Sequence, residues 1–476
     1  MNPKTTFLLF ASLAAAGCNN TKKENPPPNI IYILADDLGY GDLSCYGQKR
    51  FSTPNIDRLA REGMLFRQHY TGCTVSAPSR SCLMTGLHTG HTPIRGNKGW
   101  EPEGQWPLPA AAFTVAEMLK ANCYTTGVFG KWGLGYIDTE GDPNAQGFDL
   151  FYGYNCQSLA HNYYPDHLWL NHEKILLPAN DSGKTGAYSG ALIHKAALDF
   201  MDANRKKPFF MFYPTTIPHA ELVAKEKYMK KFRGRLEPEK VFSGVDGGPS
   251  YRKGPYGSQP ESHAAFAAMV MQLDIYVGEI LDKLAELGLD KNTVVLFASD
   301  NGPHLEGGAD PDYFDSNGPL KGYKRDLYEG GIRTALLVRW PGKVEPGSVS
   351  DHVSAFWDIL PTFADISGSE KPEITDGISF LPDLLGKKQK EHEYLYWEFH
   401  EQGGKTAARM GHWKAVKRDI NIVPQGASEL YDLSVDEGET NDISASHPDI
   451  VKRMEEIMNV AHKPSEIFQF SFESDI

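Results

Sequence analysis

Asn29-Ile-Ile-Tyr-Ile-Leu-Ala35, followed directly by Asp36-Asp37, is the stretch that decides the fold class. A short, nearly continuous apolar run is typical of a strand that is buried on both faces, as in a parallel sheet. Thr293-Val-Val-Leu-Phe-Ala-Ser299 repeats the pattern and ends in Asp300-Asn301-Gly302. Two such strands, each ending in acidic or amide residues, indicate an α/β sheet with a polar site beyond the carboxyl ends of its strands.

Helical and strand patterns alternate around these two runs. We predict helices over residues 114–122, 189–204 and 264–287, and strands over residues 125–129, 209–213 and 334–338. Strands that alternate with helices predict a large, mainly parallel α/β sheet flanked by helices. Residues 228–262 show no clear period, and we expect them to close over a site or to cover a sheet edge.

The pattern changes after about Gly368. Short strand-like runs at residues 394–399, 411–416 and 429–433 are joined by turns and followed by a helical stretch at residues 448–461. This order predicts a smaller antiparallel C-terminal α+β subdomain that packs on the first domain. The predicted division is a main α/β domain over residues 29–368 and a C-terminal subdomain over residues 369–476.

The N-terminal residues predict export. Lys4 precedes an apolar run that is too short to span a bilayer and that ends at Gly17-Cys18. Residues 1–18 resemble a bacterial lipoprotein signal in which Cys18 is lipidated, and ordinary secretory cleavage nearby is the alternative. Residues 19–28 are polar and end in three prolines, which indicates a linker. We therefore expect a periplasmic protein or an outer-membrane lipoprotein.

The charge balance restricts the partners. A net charge of −13 over 476 residues argues against nucleic acid and against adhesion to an anionic membrane face, so we expect membrane contact only through the lipid anchor. An anionic substrate is still compatible with this charge, because a local basic pocket can oppose the field of the whole protein.

Thr74-Val-Ser-Ala-Pro-Ser-Arg-Ser-Cys-Leu-Met-Thr-Gly86 predicts a short helix with a polar start. Pro78 suits the first helical turn and Gly86 suits its end. Ser76 is then at or just before the helix N-terminus, where free N–H groups favour an anion, and Arg80 lies one turn further on. An ordinary capped helix is the alternative interpretation of this stretch taken alone.

Ser76-Ala-Pro-Ser-Arg80 followed by Leu83-Met-Thr-Gly86 resembles the signature of the type I, formylglycine-dependent sulfatases of the alkaline-phosphatase-like superfamily. Further motifs match that family in its order: Asp36-Asp37, Gly130-Lys-Trp132, Pro218-His219, Asp300-Asn301-Gly302, and Lys324 with Glu329-Gly-Gly331. The resemblance covers nearly the whole mature chain. It implies the family's α/β fold and the hydrolysis of sulfate esters.

In this family the signature Cys or Ser is oxidised to formylglycine (3-oxoalanine), whose hydrated aldehyde is a geminal diol. The resemblance implies that one hydroxyl attacks sulfur and expels an alcohol, and that the other then expels sulfate. Because residue 76 is Ser rather than Cys, it also implies a serine-type sulfatase-maturating enzyme as a partner.

The resemblance further implies the ligands of one Ca²⁺ ion: Asp36, Asp37, Asp300, Asn301 and the modified Ser76. Calcium takes 6–8 oxygen ligands, and these side chains form an all-oxygen set. Four residues join Ser76 as implied catalytic groups. Arg80 orients the diol, and Lys131 and Lys324 bracket the sulfate oxygens. His219 protonates the leaving group.

One position departs from the family pattern, since Gly133 stands where the family turn Gly-Lys-Trp-His has its histidine. His161 and His304 are our candidates for a substitute near the substrate. His400, at a polar break in a strand-like run, is a third candidate for substrate binding, with a solvated hairpin turn as the alternative.

Together these features predict a hydrolase that removes sulfate from sulfated carbohydrate or small sulfate esters. We favour exo-action on galactose- or N-acetylgalactosamine-type sulfates. The alternatives are a phosphomonoester or phosphonate hydrolase of the same superfamily, and an inactive protein that binds sulfated glycans.

Overall fold

The protein is described by a computed structural model that covers residues 27–473. The predicted signal peptide, Cys18 and most of the linker lie outside these residues. The strands are β1 (Asn29–Ala35), β2 (Met64–Tyr70), β3 (Gly99–Trp100), β4 (Gly104–Gln105), β5 (Thr125–Lys131), β6 (Leu150–Tyr154), β7 (His167–Leu170), β8 (Glu173–Leu176), β9 (Phe209–Pro214), β10 (Thr293–Ser299), β11 (Arg333–Arg339), β12 (Ser348–Ser350), β13 (Ser354–Ala355), β14 (Leu395–Phe399), β15 (Lys405–Met410), β16 (Trp413–Arg418) and β17 (Glu429–Asp432). The helices are α1 (Pro54–Arg61), α2 (Ser76–Thr85), α3 (Val115–Ala121), α4 (Gln157–Ala160), α5 (Ser189–Asn204), α6 (Glu226–Met229), α7 (Ser262–Glu286), α8 (Pro311–Phe314), α9 (Glu329–Ile332), α10 (Ile359–Ser367), α11 (Leu381–Leu384) and α12 (Pro448–Ala461).

The main sheet has eleven strands in the order β12-β2-β11-β10-β1-β9-β5-β6-β7-β8, with β13 also paired to β2. Its centre, β10-β1-β9-β5-β6, is entirely parallel, which confirms the predicted α/β class. The flanks are mixed, because β11 is antiparallel to both β10 and β2, and β7 is antiparallel to β6 and β8. The sequence did not indicate β2, β6, β7 or β8.

The central strand β1 is buried along its whole length because helices cover both faces of the sheet. Ile31 and Ile33 contribute to one hydrophobic core, and Ile30, Tyr32 and Leu34 to the core on the opposite face. Helix α7 is long and apolar enough to span a bilayer, but 83% of its most apolar window is buried inside the protein. It is therefore a core helix, as its apolar residues at helical spacing predicted.

The second sheet is antiparallel, in the order β14-β15-β16-β17, and α12 packs on it. This confirms the smaller antiparallel subdomain, although β15 was not predicted. Buried contacts join it to the main sheet: the Trp397 indole N–H donates to the Thr71 carbonyl at 2.9 Å, and Lys414 Nζ lies 2.9 Å from Glu329 Oε1. The predicted domain boundary after Gly368 falls at the end of α10 and stays a prediction.

The strand directions explain why the polar motifs meet. β1, β2, β5, β6, β9 and β10 run in one direction, so the segments that follow them leave the sheet at the same edge. β11 runs the opposite way, so the segment that precedes it, with Lys324 and α9, reaches that edge too. The polar motifs therefore meet beyond the carboxyl ends of the parallel strands, where ligands of α/β sheets bind.

Candidate active site

Ser76 is the first residue of α2 and is almost completely buried. Val75 before it is extended, and Gly86 ends the helix with a left-handed φ of 70°, as the sequence predicted. The Ser76 hydroxyl donates to Asp36 Oδ1 at 3.2 Å and accepts from Lys131 Nζ at 3.1 Å. The hydroxyl is thus held between a carboxylate and an ammonium group.

Lys131 and Asp36 form the ion pair that supports this hydroxyl, with Nζ 2.5 Å from Asp36 Oδ2. Burial raises the pKa of the Asp36 carboxyl to about 6, against the opposing effect of Lys131 and Arg80. Burial lowers the pKa of the Lys131 ammonium, while the neighbouring carboxylates oppose that change. Each group therefore opposes the effect of burial on the pKa of the other.

Arg80 lies one turn after Ser76 and is fully buried. Its Nη2 and Nε donate to Asp300 Oδ2 at 2.9 and 3.2 Å, and Nη1 donates to the Lys131 carbonyl. Asp300 also holds Asp37, because its Oδ1 accepts the Asp37 backbone N–H at 3.1 Å. The guanidinium fork therefore fixes the end of β10 against the end of β5, beside Ser76.

The predicted metal ligands come together at the ends of β1 and β10. Asp36, Asp37, Asp300 and Asn301 are all buried. Asn301 Nδ2 donates to Asp37 Oδ1 at 2.7 Å, whereas its Oδ1 is buried without a hydrogen-bond partner. A buried carbonyl oxygen without a hydrogen-bond partner, beside carboxylates, is the donor set that a hard cation prefers, so these residues fit a hard divalent cation.

Lys324 and His219 lie on the other side of Asp37. Lys324 Nζ is 2.8 Å from Asp37 Oδ2 and 3.3 Å from His219 Nε2. Burial would raise the pKa of Asp37, but Lys324 and its other cationic neighbours hold it well below its ordinary value. Burial and the nearby Lys324 together hold the pKa of His219 well below its ordinary value. Its Nδ1 donates to the Ala220 carbonyl at 2.5 Å, which leaves Nε2 facing the site.

His161 and His304 stack on the two faces of His219, with ring centroids at 4.9 and 5.5 Å. The structure thus brings both predicted histidines to the site. There they contact His219, not Gly133, where the family histidine is missing. His161 Nδ1 donates to the Gly254 carbonyl at 2.8 Å. Tyr256 packs beside the rings of His161 and His219. Part of the unpatterned segment 228–262 therefore closes over the site, and Tyr256 belongs to the site although its sequence context gave no signal.

A second group of metal-ligand type lies beside the first: Asp37, His304 and Glu306. This group is already neutralised by cations of the protein, because Lys324 Nζ lies 2.8 Å from Asp37 and 3.8 Å from Glu306, and Arg325 pairs with Glu306. Glu306 is a further site residue that sequence reasoning missed, since a lone Glu in a Gly-rich loop is usually a solvated residue.

The structure places His400 elsewhere. Its Nε2 lies 3.0 Å from Glu398 Oε1 and its ring stacks on Phe470 at 4.0 Å. Glu398 is fully buried and also pairs with Arg95 and His462. This arrangement is a buried network that fixes the C-terminal segment, and a role of His400 in substrate binding stays a prediction.

Comparison with known proteins agrees with this geometry. The sulfatase family model matches residues 28–369, and the model for the C-terminal region of N-sulphoglucosamine sulphohydrolase matches residues 322–463. The chain is 30% identical to an N-acetylgalactosamine-6-O-sulfatase of Bacteroides thetaiotaomicron, over 93% of this chain and 95% of the relative. It is 31% identical to arylsulfatase A of Homo sapiens, over 90% of this chain and 87% of the relative.

Solved structures extend the similarity to the whole fold. Ps i-CgsB in complex with k-i-k-neocarrahexaose superposes with a TM-score of 0.77 at 29% identity, over 94% of this chain and 96% of that one. A phosphonate monoester hydrolase of Agrobacterium radiobacter has a TM-score of 0.63 at 19% identity, over 91% and 95% of the two chains, and shares the fold. The family match and the site geometry lead to one conclusion: the chain belongs to the sulfatase family and is a sulfuric ester hydrolase.

Proposed function

We propose that this enzyme releases sulfate from a sulfated sugar, with formylglycine made from Ser76 and one Ca²⁺ ion. The observation that carries the proposal is the position of the Ser76 hydroxyl between Asp36 Oδ1 and Lys131 Nζ. The similarity to a bacterial N-acetylgalactosamine-6-O-sulfatase supports a carbohydrate substrate, and we favour a sulfated N-acetylgalactosamine or galactose unit.

The residues present fit both cofactors. A hydrated formylglycine at position 76 supplies a hydroxyl nucleophile, and Asp36, Lys131 and Arg80 surround that position. Asp36, Asp37, Asp300 and Asn301 would hold the cation, with the unpartnered Asn301 Oδ1 as a ready donor. A bound Ca²⁺ supplies positive charge that polarises a sulfate group.

The protein's own groups account for substrate binding and proton transfer. Lys131 and Lys324 bring two ammonium groups to the buried edge of a protein whose net charge is −13, and so supply the field that attracts a sulfate ester. His219 Nε2 is the imidazole nitrogen that faces the site, beside Lys324. The negative charge of a bound sulfate ester opposes the effect of Lys324 and raises the pKa of His219. We assign to the Nε2–H of His219, protonated in that complex, the transfer of a proton to the departing sugar alcohol.

The second group of metal-ligand type, Asp37, His304 and Glu306, favours a sulfate ester over a phosphate ester as the substrate. A phosphate monoester carries more negative charge than a sulfate monoester and benefits from a second metal ion. Here the ammonium of Lys324 and the guanidinium of Arg325 lie where a second cation would have to bind at Glu306. We therefore rank phosphomonoester and phosphonate hydrolysis below sulfate hydrolysis.

A substrate panel tests this proposal. The protein, co-expressed with a serine-type maturating enzyme, is incubated with sulfated mono- and oligosaccharides, with phosphomonoesters and with a phosphonate ester. We expect sulfate release from galactose- or N-acetylgalactosamine-type sulfates and much slower turnover of the phosphorus esters. Preferred hydrolysis of a phosphorus ester, or saccharide binding without turnover by protein that is modified at Ser76, would contradict the proposal.

The cellular location is also a proposal. Residues 1–18 support export with lipidation at Cys18. Fractionation of the native host, with mass analysis of the mature N-terminus, distinguishes a lipoprotein from a soluble periplasmic enzyme.

A further inference from the structure

Two neighbouring segments leave the sheet beside Lys131. β5 and β6 are parallel, with Lys131 opposite Tyr154. Beyond them the pairing continues, because Trp132 N donates to the Tyr154 carbonyl at 2.9 Å and Gly133 N to the Asn155 carbonyl at 3.0 Å. Gly133 and the start of α4 are therefore adjacent, two residues beyond the lysine that contacts Ser76.

The side chain of Gln157 fills the space beside Gly133. A Cβ atom on Gly133 would lie 2.3 Å from Gln157 Nε2, and Gly133 has a φ of 77°, which a side chain would strain. The backbone N–H of Gln157 donates to Gln105 Oε1 at 3.2 Å, which fixes the start of α4. A glycine at position 133 is thus matched to a glutamine at position 157.

The amide groups at this point have hydrogen-bonding capacity to spare. Gln157 Nε2 is buried without a hydrogen-bond partner, and Asn155 is fully buried with both side-chain amide atoms unpartnered. A buried polar group left unsatisfied costs about 1–3 kcal/mol, so such groups beside Gly133, two residues beyond Lys131, point to a ligand that they bind.

We propose that Gln157 is a substrate-contacting residue, whose side-chain N–H donates a hydrogen bond to an oxygen of the sulfate group held at Ser76 and Lys131. This inference rests on the proposed sulfate ester hydrolysis at Ser76. An amide neither gains nor loses a proton in the working pH range, so it stabilises negative charge without adding a pKa to the reaction. Asn155, buried next to it, supports the segment that carries this amide.

Three variants of the matured enzyme test the inference on an N-acetylgalactosamine sulfate: Gln157→Ala, Gln157→Glu and, as matched control, Ser158→Ala. Ser158 is the exposed next residue of α4. Removing an oxyanion donor costs up to about 10²–10³-fold in kcat, so we expect at least a ~10-fold loss in kcat/KM for Gln157→Ala. Gln157→Glu is expected to lose more, and to recover towards Gln157→Ala as the pH falls and its carboxyl becomes protonated. Ser158→Ala is expected to keep wild-type activity.

The pH-dependent difference between Gln157→Ala and Gln157→Glu is a readout that a purely structural role would not give. Full activity of Gln157→Ala, or equal activity of the two variants at all pH values, would overturn the inference.

A binding experiment separates this inference from the proposed function. Unmatured wild type and the same variants are titrated with inorganic sulfate. Weaker sulfate binding by Gln157→Glu than by Gln157→Ala supports the anion contact even if no sulfated saccharide is hydrolysed. Equal affinities for sulfate in wild type and both Gln157 variants would overturn it even if the enzyme is an active sulfatase.

Discussion

Lys131 Nζ donates a hydrogen bond to Ser76 Oγ at 3.1 Å while it lies 2.5 Å from Asp36 Oδ2. The contact joins the end of a buried strand to the start of a helix that is far away in sequence. It fixes residue 76 next to an ammonium group that is buried and therefore acts in a medium of low dielectric constant.

The charge of Lys131 is the first target for mutation. Lys131→Met keeps most of the side-chain volume and removes the charge that faces residue 76. We expect kcat for a sulfated sugar to fall by about 10²–10³-fold, as for the loss of one preorganised charge-stabilising group. Lys120→Met is the control, because Lys120 pairs with Asp149 at the surface. Activity of Lys131→Met within a few-fold of the control would contradict this role.

Metal removal tests the oxygen ligands. Treatment with a Ca²⁺ chelator should abolish sulfate release, and added Ca²⁺ should restore it better than Mg²⁺, which demands stricter octahedral geometry. Binding to the folded state alone should also raise stability by about 2.7 kcal/mol at a Ca²⁺ concentration one hundred times the Kd. Melting curves with and without Ca²⁺ measure this, and Asp300→Asn should reduce the shift. Unchanged rates in chelated protein that elemental analysis shows to be free of metal would refute the assignment.

His219 is predicted to matter most when the leaving group is poor. His219→Asn removes the proton donor, and general acid catalysis contributes about 10²–10⁴-fold. We expect a loss of that size with a sugar sulfate and a much smaller loss with an aryl sulfate, whose phenolate leaves without protonation. Comparing kcat for the two substrates gives the result, with the exposed His172→Asn as control. Equal losses on both substrates would assign His219 to positioning instead.

His69 is expected to make the folded protein less stable as the pH falls. Burial lowers the pKa of His69 to about 3, and its Nδ1 hydrogen-bonds to Ser354 Oγ at 2.8 Å. The unfolded chain takes up a proton near pH 6.5 while the folded chain does not, so folding loses stability as the pH falls below about 6.5. At pH 5.5 this single group costs about 1.4 kcal/mol.

His69→Gln removes this titration. We therefore expect its stability deficit relative to wild type to be smaller at pH 5.5 than at pH 7.5, by about the same 1.4 kcal/mol. Denaturant unfolding at the two pH values measures the difference. A deficit that is independent of pH, or larger at pH 5.5, would show that His69 is charged in the folded protein.

The central sheet and its acidic edge were predictable because their signals are local. β1 and β10 are apolar on both faces, and their carboxyl ends carry Asp36, Asp37, Asp300 and Asn301, so a parallel pairing had to bring these side chains together. Strand β2 was missed because exposed Arg67 and half-buried Gln68 interrupt its apolar pattern near one sheet edge. Its direction, and that of β11, depends on tertiary pairing that no local pattern encodes.

Side-chain placement was predictable only where a motif carried it. The sulfate-binding roles of Lys131 and Lys324 were predicted only through the family resemblance, because a lysine outside a motif is usually a surface residue. The ion pair of His400 with the buried Glu398 was not predictable, because glycines and charges after a strand occur both in substrate loops and in buried ion networks. Gln157 gave no signal of its own. Its relation to Gly133 becomes visible only when β5 and β6 lie side by side.

The most direct measurement is the mass of the peptide that carries residue 76, made on protein whose sulfatase activity is measured in parallel. We predict that co-expression with a serine-type maturating enzyme yields a residue 76 lighter by two hydrogen atoms. Release of sulfate from a sulfated sugar should then rise in proportion to the modified fraction, and Ser76→Ala should be inactive. Full activity with an unmodified Ser76, or with Ser76→Ala, would contradict the account.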